Sequence, residues 1–475
     1  MADLPKKAAN LIDWYLAAVE AANLTDKRYP VKGMNVWTPY GFQVRRLLDA
    51  IMVREIEATG SKPVEFPTLI PETEFQKERE HIKGFDAQVY WVTRGGESPL
   101  DVNLVLRPTS ETAMYPVFAL WIRSHRDLPL NVYQIVNTFR YETKTTRPFV
   151  RVREIHFFEE HTCQVDEATA TARVRSNLAA FREMARSLGL PYVALRRPEW
   201  DKFPGAFYTV AFDIPIGEGR TLQLGSVHHY RENFSRPYGI SYEAPDGTTR
   251  FVHQTTFGLS ERLIGAVALA HGDDKGVVFP PAVAPFVVVI VPIPAAGATP
   301  DPESHARSVA ETLRKGGLRV HVDADPDRPG AKYYHWETAG VPLRLEIGRR
   351  EAAEGSATAV DRLGRKSTLE KESLVAGVRT ALESVDAELR ARAEVAFRQA
   401  FRLVSQLSDL KGLDLLAVFG WCGATECGHQ VEATYDGALL GTPEDPLPLE
   451  LPKPGPCLAC GTTENVGWAV AGRPI

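Results

Sequence analysis

Residues 133–158, YQIVNTFRYETKTTRPFVRVREIHFF, constrain the fold more than any other stretch. Two runs, YQIVNTFRYE and FVRVREIHFF, are rich in β-branched and aromatic residues. The short polar segment TKTTRP separates them. Runs so close together and so punctuated predict an antiparallel hairpin with a polar tip. Further strand-like runs fall at VNLVLRPTSE, 207–214, 221–230 and 249–256, and the proline-punctuated PVEFPTLIP suits a sheet edge. Helices are predicted over 10–23, 41–60, 168–188 and SERLIGAVALAH. In 41–60, Phe42, Val44, Leu47, Leu48, Ile51, Met52 and Ile56 recur at three-to-four spacing, one apolar stripe closed by Gly60. An antiparallel sheet with helices on one side accommodates this order better than repeated βαβ units.

Near residue 280 the pattern changes. After PPAVAP come a Val-rich strand, the helix HARSVAETLRKGG, the strand LRVHVDAD, a helix near 330–339 and the strand LRLEIG. That alternation describes a separate α/β unit. From about 386, helical AELRARAEVAFRQAFRLVSQL leads into a tail rich in Cys and Gly. The expected organisation is α+β and multidomain: an antiparallel-sheet domain over 1–282, an α/β domain over 283–385 and a C-terminal domain over 386–475.

The formal net charge of −5 over 475 residues excludes a protein coated in basic surface but leaves room for a local basic patch. The longest apolar stretch, FVVVIVPIP from Phe286, is shorter than the roughly 18 residues a membrane span needs. The start, MADLPKKAANLIDWY, lacks the apolar core of a signal peptide. The expectation is a cytoplasmic protein without a membrane partner.

Cys422 and Cys427 are separated by four residues, Cys457 and Cys460 by two, and the pairs by 29. Two short-spaced pairs suit a closed, structural zinc site with four thiolate ligands. His429 is an alternative ligand. Cys163, alone, is expected to be a small core residue.

The hairpin carries unusual charge. On a strand, Arg140 and Glu142 would share a face, and Arg151 on the returning run could join them. Arginine offers a planar fork of donors that suits phosphate or carboxylate. The layout fits a polyanion held on a rigid sheet. A solvated, salt-bridged hairpin is the alternative from charges alone.

FRYE…RVRE with its loop resembles motif 2 of the class II aminoacyl-tRNA synthetases, GLSER (258–262) resembles motif 3, and 41–67 ending at Pro67 resembles motif 1. More narrowly, RPTSE (107–111), TRPFVRVRE, KFPGAFYT, LQLGSVHHYRENF, HQTTFGLSER and HGDDKG resemble the prolyl-tRNA synthetases, of the archaeal/eukaryotic-like type. Only about 100 residues separate Glu154 from Gly258, too few for a bacterial-type editing insertion.

This resemblance implies ATP-dependent attachment of proline to tRNA(Pro) through prolyl-adenylate, in a homodimer. It implies ATP as substrate, with Mg2+ and a structural Zn2+. It places Arg140 on both the proline carboxylate and the α-phosphate, and Arg262 over the far side of the nucleotide, as the catalytic pair. Glu142, Arg151, Val152, Gln223, Ser226 and Ser260 would also face ATP, with Gln223 a magnesium ligand. Val152 is commonly threonine in the family, and Ser226 often is. Thr109, Glu111, Phe157, Glu159, His161 and His228 would surround proline. The sequence departs from the family pattern at Phe157, where tryptophan is usual, and at Glu160, where glycine is. In the α/β domain, Glu337, Arg344 and Lys366 would read the two guanines of proline anticodons.

Each residue has a plainer alternative. Thr109 and Glu111 could cap a helix, His228 could be a core histidine, and the anticodon candidates could be an ordinary charged face. His253 and His271 are expected to be structural. The ending AGRPI lacks the terminal tyrosine of some members. A non-catalytic synthetase-like regulator would be favoured by loss of Arg140, Arg262 or Glu111, and all three are present. An adenylating enzyme serving a carrier protein would not need an anticodon-reading domain.

Overall fold

The expected hairpin forms. Strands Leu130–Phe139 and Glu154–Gln164 pair antiparallel, from Leu130 opposite Cys163 to Phe139 opposite Glu154. The computed structural model describes residues 4–79 and 88–475. Both strands are shorter at the loop end than the sequence suggests. Pro148 cannot donate to a ladder, and Phe149 adopts φ 59, which turns the chain. Arg147 and Arg151 close that turn with two backbone hydrogen bonds, of 2.8 and 2.9 Å. Arg140, Glu142, Arg151 and Val152 therefore sit on the connection. The expectation that Arg140 and Glu142 share a strand face is corrected.

The hairpin belongs to an eleven-stranded sheet among the described residues. Its order is 401–403, 416–421, 467–474, 438–443, 193–196, 208–217, 220–231, 253–260, 154–164, 130–139 and 62–63. From 193–196 to 130–139 every pairing is antiparallel. The proline-punctuated segment enters this sheet at the edge pair Lys62–Pro63, and its end, Leu69–Pro71, pairs antiparallel with Ser98–Leu106 in a separate three-stranded sheet. The run expected at 249–256 divides into Thr249–Phe251 and His253–Ser260.

Helix Pro39–Glu57 starts on an N-cap from Thr38, and helix Glu167–Leu188 runs from the Asp166 cap to left-handed Gly189. These two, with Arg262–His271, pack on one face of the sheet. Phe181 stacks on Phe212 at 3.8 Å between centroids, with Phe257 edge-on to both. The core lies on that face, so the other face is left for a cavity.

The α/β unit holds a five-stranded sheet in the order 320–322, 288–292, 343–347, 357–361, 366–369. Its first three strands are parallel, as the alternation predicts. Ala357–Asp361 and Lys366–Leu369 add an antiparallel edge the sequence reading did not anticipate.

The C-terminal part differs most. Helix Leu374–Gln399 begins well before 386, so the boundary drawn at 385–386 falls inside it. The strands beyond it extend the main sheet: Thr442 lies opposite Arg196, and Arg473 and Pro474 run parallel to Arg220 and Thr221.

Candidate active site

The sheet face opposite the helices carries a cavity of about 350 Å³. It is lined by residues from the 107–111 turn, the hairpin connection, and strands Glu154–Gln164, Arg220–Arg231 and His253–Ser260. Strand alternation sorts the side chains. Phe157, Glu159 and His161 line the cavity, whereas Phe158 and Glu160 face the helices. Glu160 pairs there with Arg173, Ser61 and Asn177. The sequence departure at Glu160 thus lies outside the cavity.

All the catalytic-domain candidates line this one space: Thr109, Glu111, Arg140, Glu142, Arg151, Val152, Phe157, Glu159, His161, Gln223, Ser226, His228, Ser260 and Arg262.

One end is acidic and aromatic. Glu111 opens helix Glu111–Trp121, where the helix dipole favours a carboxylate. Its two oxygens accept from Tyr230 Oη at 3.0 Å and from Thr109 Oγ1. Thr256 Oγ1 donates in turn to Tyr230 Oη at 2.7 Å. Thr109 and Glu111 do not form an ordinary cap; Ser110 is the N-cap residue. Glu159 accepts from Ser110 Oγ and from Gln134 Nε2 at 2.8 Å, and lies 3.1 Å from His161 Nε2. Burial opposes ionisation of both Glu159 and His161. Their mutual pairing, together with the Ser110 and Gln134 hydrogen bonds to the carboxyl and the Glu111 and Glu160 charges near the imidazole, outweighs it, holding the carboxyl below its usual range and the imidazole above. His228 differs: burial, with His161 nearby, pushes it down to about 3, so it is neutral. Its ring nitrogens meet Thr209 Oγ1 at 2.9 Å and Ser226 Oγ at 3.0 Å, and Phe203 lies 4.7 Å away, ring to ring. Gly258 seats Phe157, since a Cβ there would come within 2.9 Å of that ring.

The other end is cationic. Arg140 Nε donates to the Pro108 carbonyl at 3.1 Å. Arg262 Nε donates to the Val150 carbonyl at 2.9 Å, and its Nη1 reaches the Gln223 carbonyl at 3.4 Å. Burial, then the charges of Arg140 and Arg151, bring the Arg262 pKa down to about 10. Glu142 lies 3.8 Å from Arg151. The guanidinium groups of Arg140, Arg151 and Arg262, crowded at this end of the cavity, repel one another, and a bound anion relieves that repulsion.

Sequence reasoning assigned no role to Glu261, Arg197 or Tyr230, though Glu261 and Arg197 line this cavity and Tyr230 bonds Glu111. Glu261 and His156 clasp each other: the Glu261 N–H donates to the His156 carbonyl, and Glu261 Oε2 accepts from the His156 N–H. This pins the start of the Arg262 helix to the strand bearing Phe157. Burial pushes the Glu261 carboxyl up to about 8 from an ordinary 4.5. A carboxyl raised on folding stabilises the fold fully at acid pH and loses that contribution as pH climbs to the folded value. The melting temperature of Glu261→Gln relative to the native chain should therefore rise between about pH 5 and pH 8. A gap independent of pH would contradict the assignment.

Comparison with known proteins agrees with this geometry. A profile for the "tRNA synthetase class II core domain (G, H, P, S and T)" matches residues 90–271, and one for an "Anticodon binding domain" matches 287–381. The proline–tRNA ligase of Thermococcus kodakarensis is 49% identical over 463 residues, covering 96% of each chain. That of Pyrococcus horikoshii is 48% identical over 456 residues, 94% of this chain and 95% of its own. The chain belongs to the prolyl-tRNA synthetase family. Among solved structures, Giardia lamblia prolyl-tRNA synthetase in complex with prolyl-adenylate superposes with a TM-score of 0.93 at 31% identity, covering 100% of both chains. The Cryptosporidium parvum enzyme, complexed with halofuginone and AMPPNP, gives 0.92 at 30% identity and 99% coverage of both.

In the unit matched by the anticodon-binding profile, Arg344, Val360 and Lys366 lie side by side across three strands, so Arg344 and Lys366 share a face. Arg344 sits over the Tyr333 ring at 4.1 Å and pairs with Glu346 at 2.8 Å. Glu337, one turn beyond Tyr333 on helix Pro329–Thr338, bonds Lys275 at 2.7 Å.

The four tail cysteines converge, with all Sγ atoms within 4.8 Å of one another. Ligands about 2.3 Å from one zinc ion fit that spacing. His429 turns instead to Glu432, at 2.8 Å, and is not among the converging groups. Cys163 is buried beside Gln254, and His271 bonds the Leu188 carbonyl at 2.9 Å, both as expected. His253 lies 3.6 Å from Glu232.

Proposed function

We propose that the chain joins L-proline to tRNA(Pro) in two steps. The proline carboxylate attacks the α-phosphorus of ATP, giving prolyl-adenylate and pyrophosphate. The tRNA 3′-terminal hydroxyl then takes the prolyl group and AMP leaves. The supporting observation is that Arg140 and Arg262, from distant parts of the chain, line one cavity whose other end carries Glu111.

Two anions must meet in the first step, and charge builds on the α-phosphoryl oxygens. The work is positioning and electrostatic stabilisation, with no protein nucleophile. Arg140 contacts both the carboxylate and the α-phosphate and cancels their repulsion. Arg262 covers the far side of the nucleotide. Glu142, Arg151, the backbone at Val152, Gln223, Ser226 and Ser260 complete that wall. Glu111 and Thr109 meet the cationic secondary amine of proline. Phe157 and neutral His228 bound its ring, with the Glu159–His161 pair fixing the floor.

Magnesium would arrive with the ATP phosphates, keeping water and one or two oxygen ligands, Gln223 among the candidates. Zinc would be held by Cys422, Cys427, Cys457 and Cys460; four thiolates leave no open position, so its part is structural. In this reading 1–282 activate proline, 283–385 read the anticodon through Glu337, Arg344 and Lys366, and 386–475 brace the sheet. A homodimer suits the exposed Leu120 and Trp121, the latter with its ring 5.7 Å from Phe66 of the proline-rich segment after the motif 1 helix. Sedimentation should give twice the chain mass. No described helix is long and apolar enough to cross a membrane, and the reaction belongs in the cytoplasm.

ATP–pyrophosphate exchange across a panel of amino acids tests the reading. Proline should dominate; no exchange with proline, or faster exchange with another amino acid, refutes it. Two further outcomes are expected. Cys422→Ser with Cys457→Ser should lose about one zinc ion per chain and lower the melting temperature of the whole sheet, because the tail strands continue it. Alanine differs from proline by a few methylenes, worth roughly 1–3 kcal/mol, so alanyl-adenylate should form measurably. Mischarged Ala-tRNA should persist in a deacylation assay, and its clearance by this chain would contradict the absence of editing.

A further inference from the structure

Arg197 lines the same cavity yet belongs to none of the motifs above. It directly follows strand Val193–Arg196, and its side chain is only 5% exposed. Its nitrogens reach four partners. Nη1 donates to the Leu440 carbonyl at 2.7 Å. Nη2 donates to Asp213 Oδ1 at 3.0 Å and reaches Gln223 Oε1 at 3.4 Å. Nε lies 3.4 Å from Asp201 Oδ2. Leu440 belongs to Ala438–Pro443, the strand through which the cysteine-bearing tail joins the sheet at Arg196. The approach is close: a Cβ at Gly441 would come within 2.0 Å of the Arg196 carbonyl.

We infer that Arg197 is a positioning residue for ATP: anchored on the C-terminal strand, it sets the side-chain amide of Gln223 in the nucleotide wall. The inference rests on the nucleotide-side reading of Gln223 given above. A glutamine amide can present either its oxygen or its nitrogen, and only the oxygen accepts from a guanidinium. Arg197 therefore chooses which end of the amide faces which way. The Gln223 main chain is held from the other side, where its carbonyl faces Arg262 Nη1. A planar guanidinium bound on several sides is a rigid support. Its anchor at Leu440 gives the tail a direct hold on the site, more than 240 residues from Arg197 along the chain. If Arg197 only neutralised Asp213, its loss would cost stability without touching ATP.

The test uses the full-length chain and its Arg197→Met, Arg197→Lys, Gln223→Ala and Arg197→Met/Gln223→Ala variants. Exchange kinetics would be read against ATP and proline separately, with direct AMPPNP binding and melting temperatures. Arg197→Met should raise the ATP KM and the AMPPNP Kd about tenfold, with the proline KM unchanged. Arg197→Lys, which keeps the charge without the fork, should recover part of the loss, and it carries the test if the methionine variant does not fold. The double variant should bind ATP no worse than Gln223→Ala, because both changes remove one effect. Additive losses, or lowered melting with native ATP parameters in Arg197→Met and Arg197→Lys, overturn the inference. If Gln223→Ala weakens ATP but neither Arg197 variant does, the inference alone falls. If Gln223→Ala binds ATP normally, the reading of Gln223 falls and the inference with it.

Discussion

Arg140→Ala is expected to lower kcat/KM for prolyl-adenylate formation by about a thousandfold, measured as ATP–pyrophosphate exchange. The side chain stands at the junction of the acidic and cationic ends of the cavity. Burial disfavours its charge, and Glu111, Glu159 and Glu142 act to retain it. Its Nε bond to the Pro108 carbonyl fixes the plane of the guanidinium before any ligand arrives. Without it, a carboxylate must approach a triphosphate with Arg151 and Arg262 left at the cationic end to offset the repulsion. The loss should fall on kcat, since the interaction strengthens as charge builds on the α-phosphoryl oxygens. Arg140→Lys restores the charge but not the bidentate fork, and should recover only part. Arg262→Ala, by contrast, should fall mainly on the ATP KM. Near-native exchange in Arg140→Ala would remove the residue from the mechanism.

Glu111→Gln should raise the KM for proline about a hundredfold, close to 3 kcal/mol. The amide keeps the size of the native side chain; its oxygen can still accept from Tyr230 while its NH2 donates to Thr109 Oγ1, so the fold should survive. What goes is the negative charge facing the proline ammonium in a buried site, where the two cannot be screened by water. Tetrahydrofuran-2-carboxylate supplies the control, because its ring oxygen replaces the secondary amine. It should inhibit Glu111→Gln at least as well as the native chain, because an amide N–H can donate to the ring oxygen and a carboxylate cannot. An unchanged proline KM in Glu111→Gln, or the same loss of affinity for the oxygen analogue, would place the amine elsewhere.

Local patterns carried the parts of the fold that depend on local physics. The hairpin was legible because its two runs lie close together, are rich in β-branched and aromatic residues, and are separated by a polar turn. The helix expected over 168–188 forms as Glu167–Leu188, and the structure shows Asp166 and Gly189 closing its ends. The strands Ala357–Asp361 and Lys366–Leu369 were hidden because ATAVD and KSTL are short and carry no strong alternation. The union of the tail with the main sheet was invisible, since pairing Thr442 with Arg196 leaves no trace in either neighbourhood. The site divided the same way. Most of the candidate residues inside the resemblance motifs line one cavity. Arg197, outside those motifs, and Glu261, inside GLSER, were assigned no role, because one is anchored on the Leu440 carbonyl and the other on the backbone of His156. Backbone partners at that distance place no demand on residue type.

A crystal structure of the chain bound to a sulfamoyl analogue of prolyl-adenylate is the most direct test. The analogue should fill the cavity with its prolyl ring between Phe157 and His228 and its ammonium on Glu111. Arg140 should hydrogen-bond the linkage that stands in for the carboxylate and α-phosphate, with Arg262 on the far side of the adenosine. An analogue bound elsewhere, or bound here with Arg140 and Arg262 turned away from it, would contradict the mechanism at its centre.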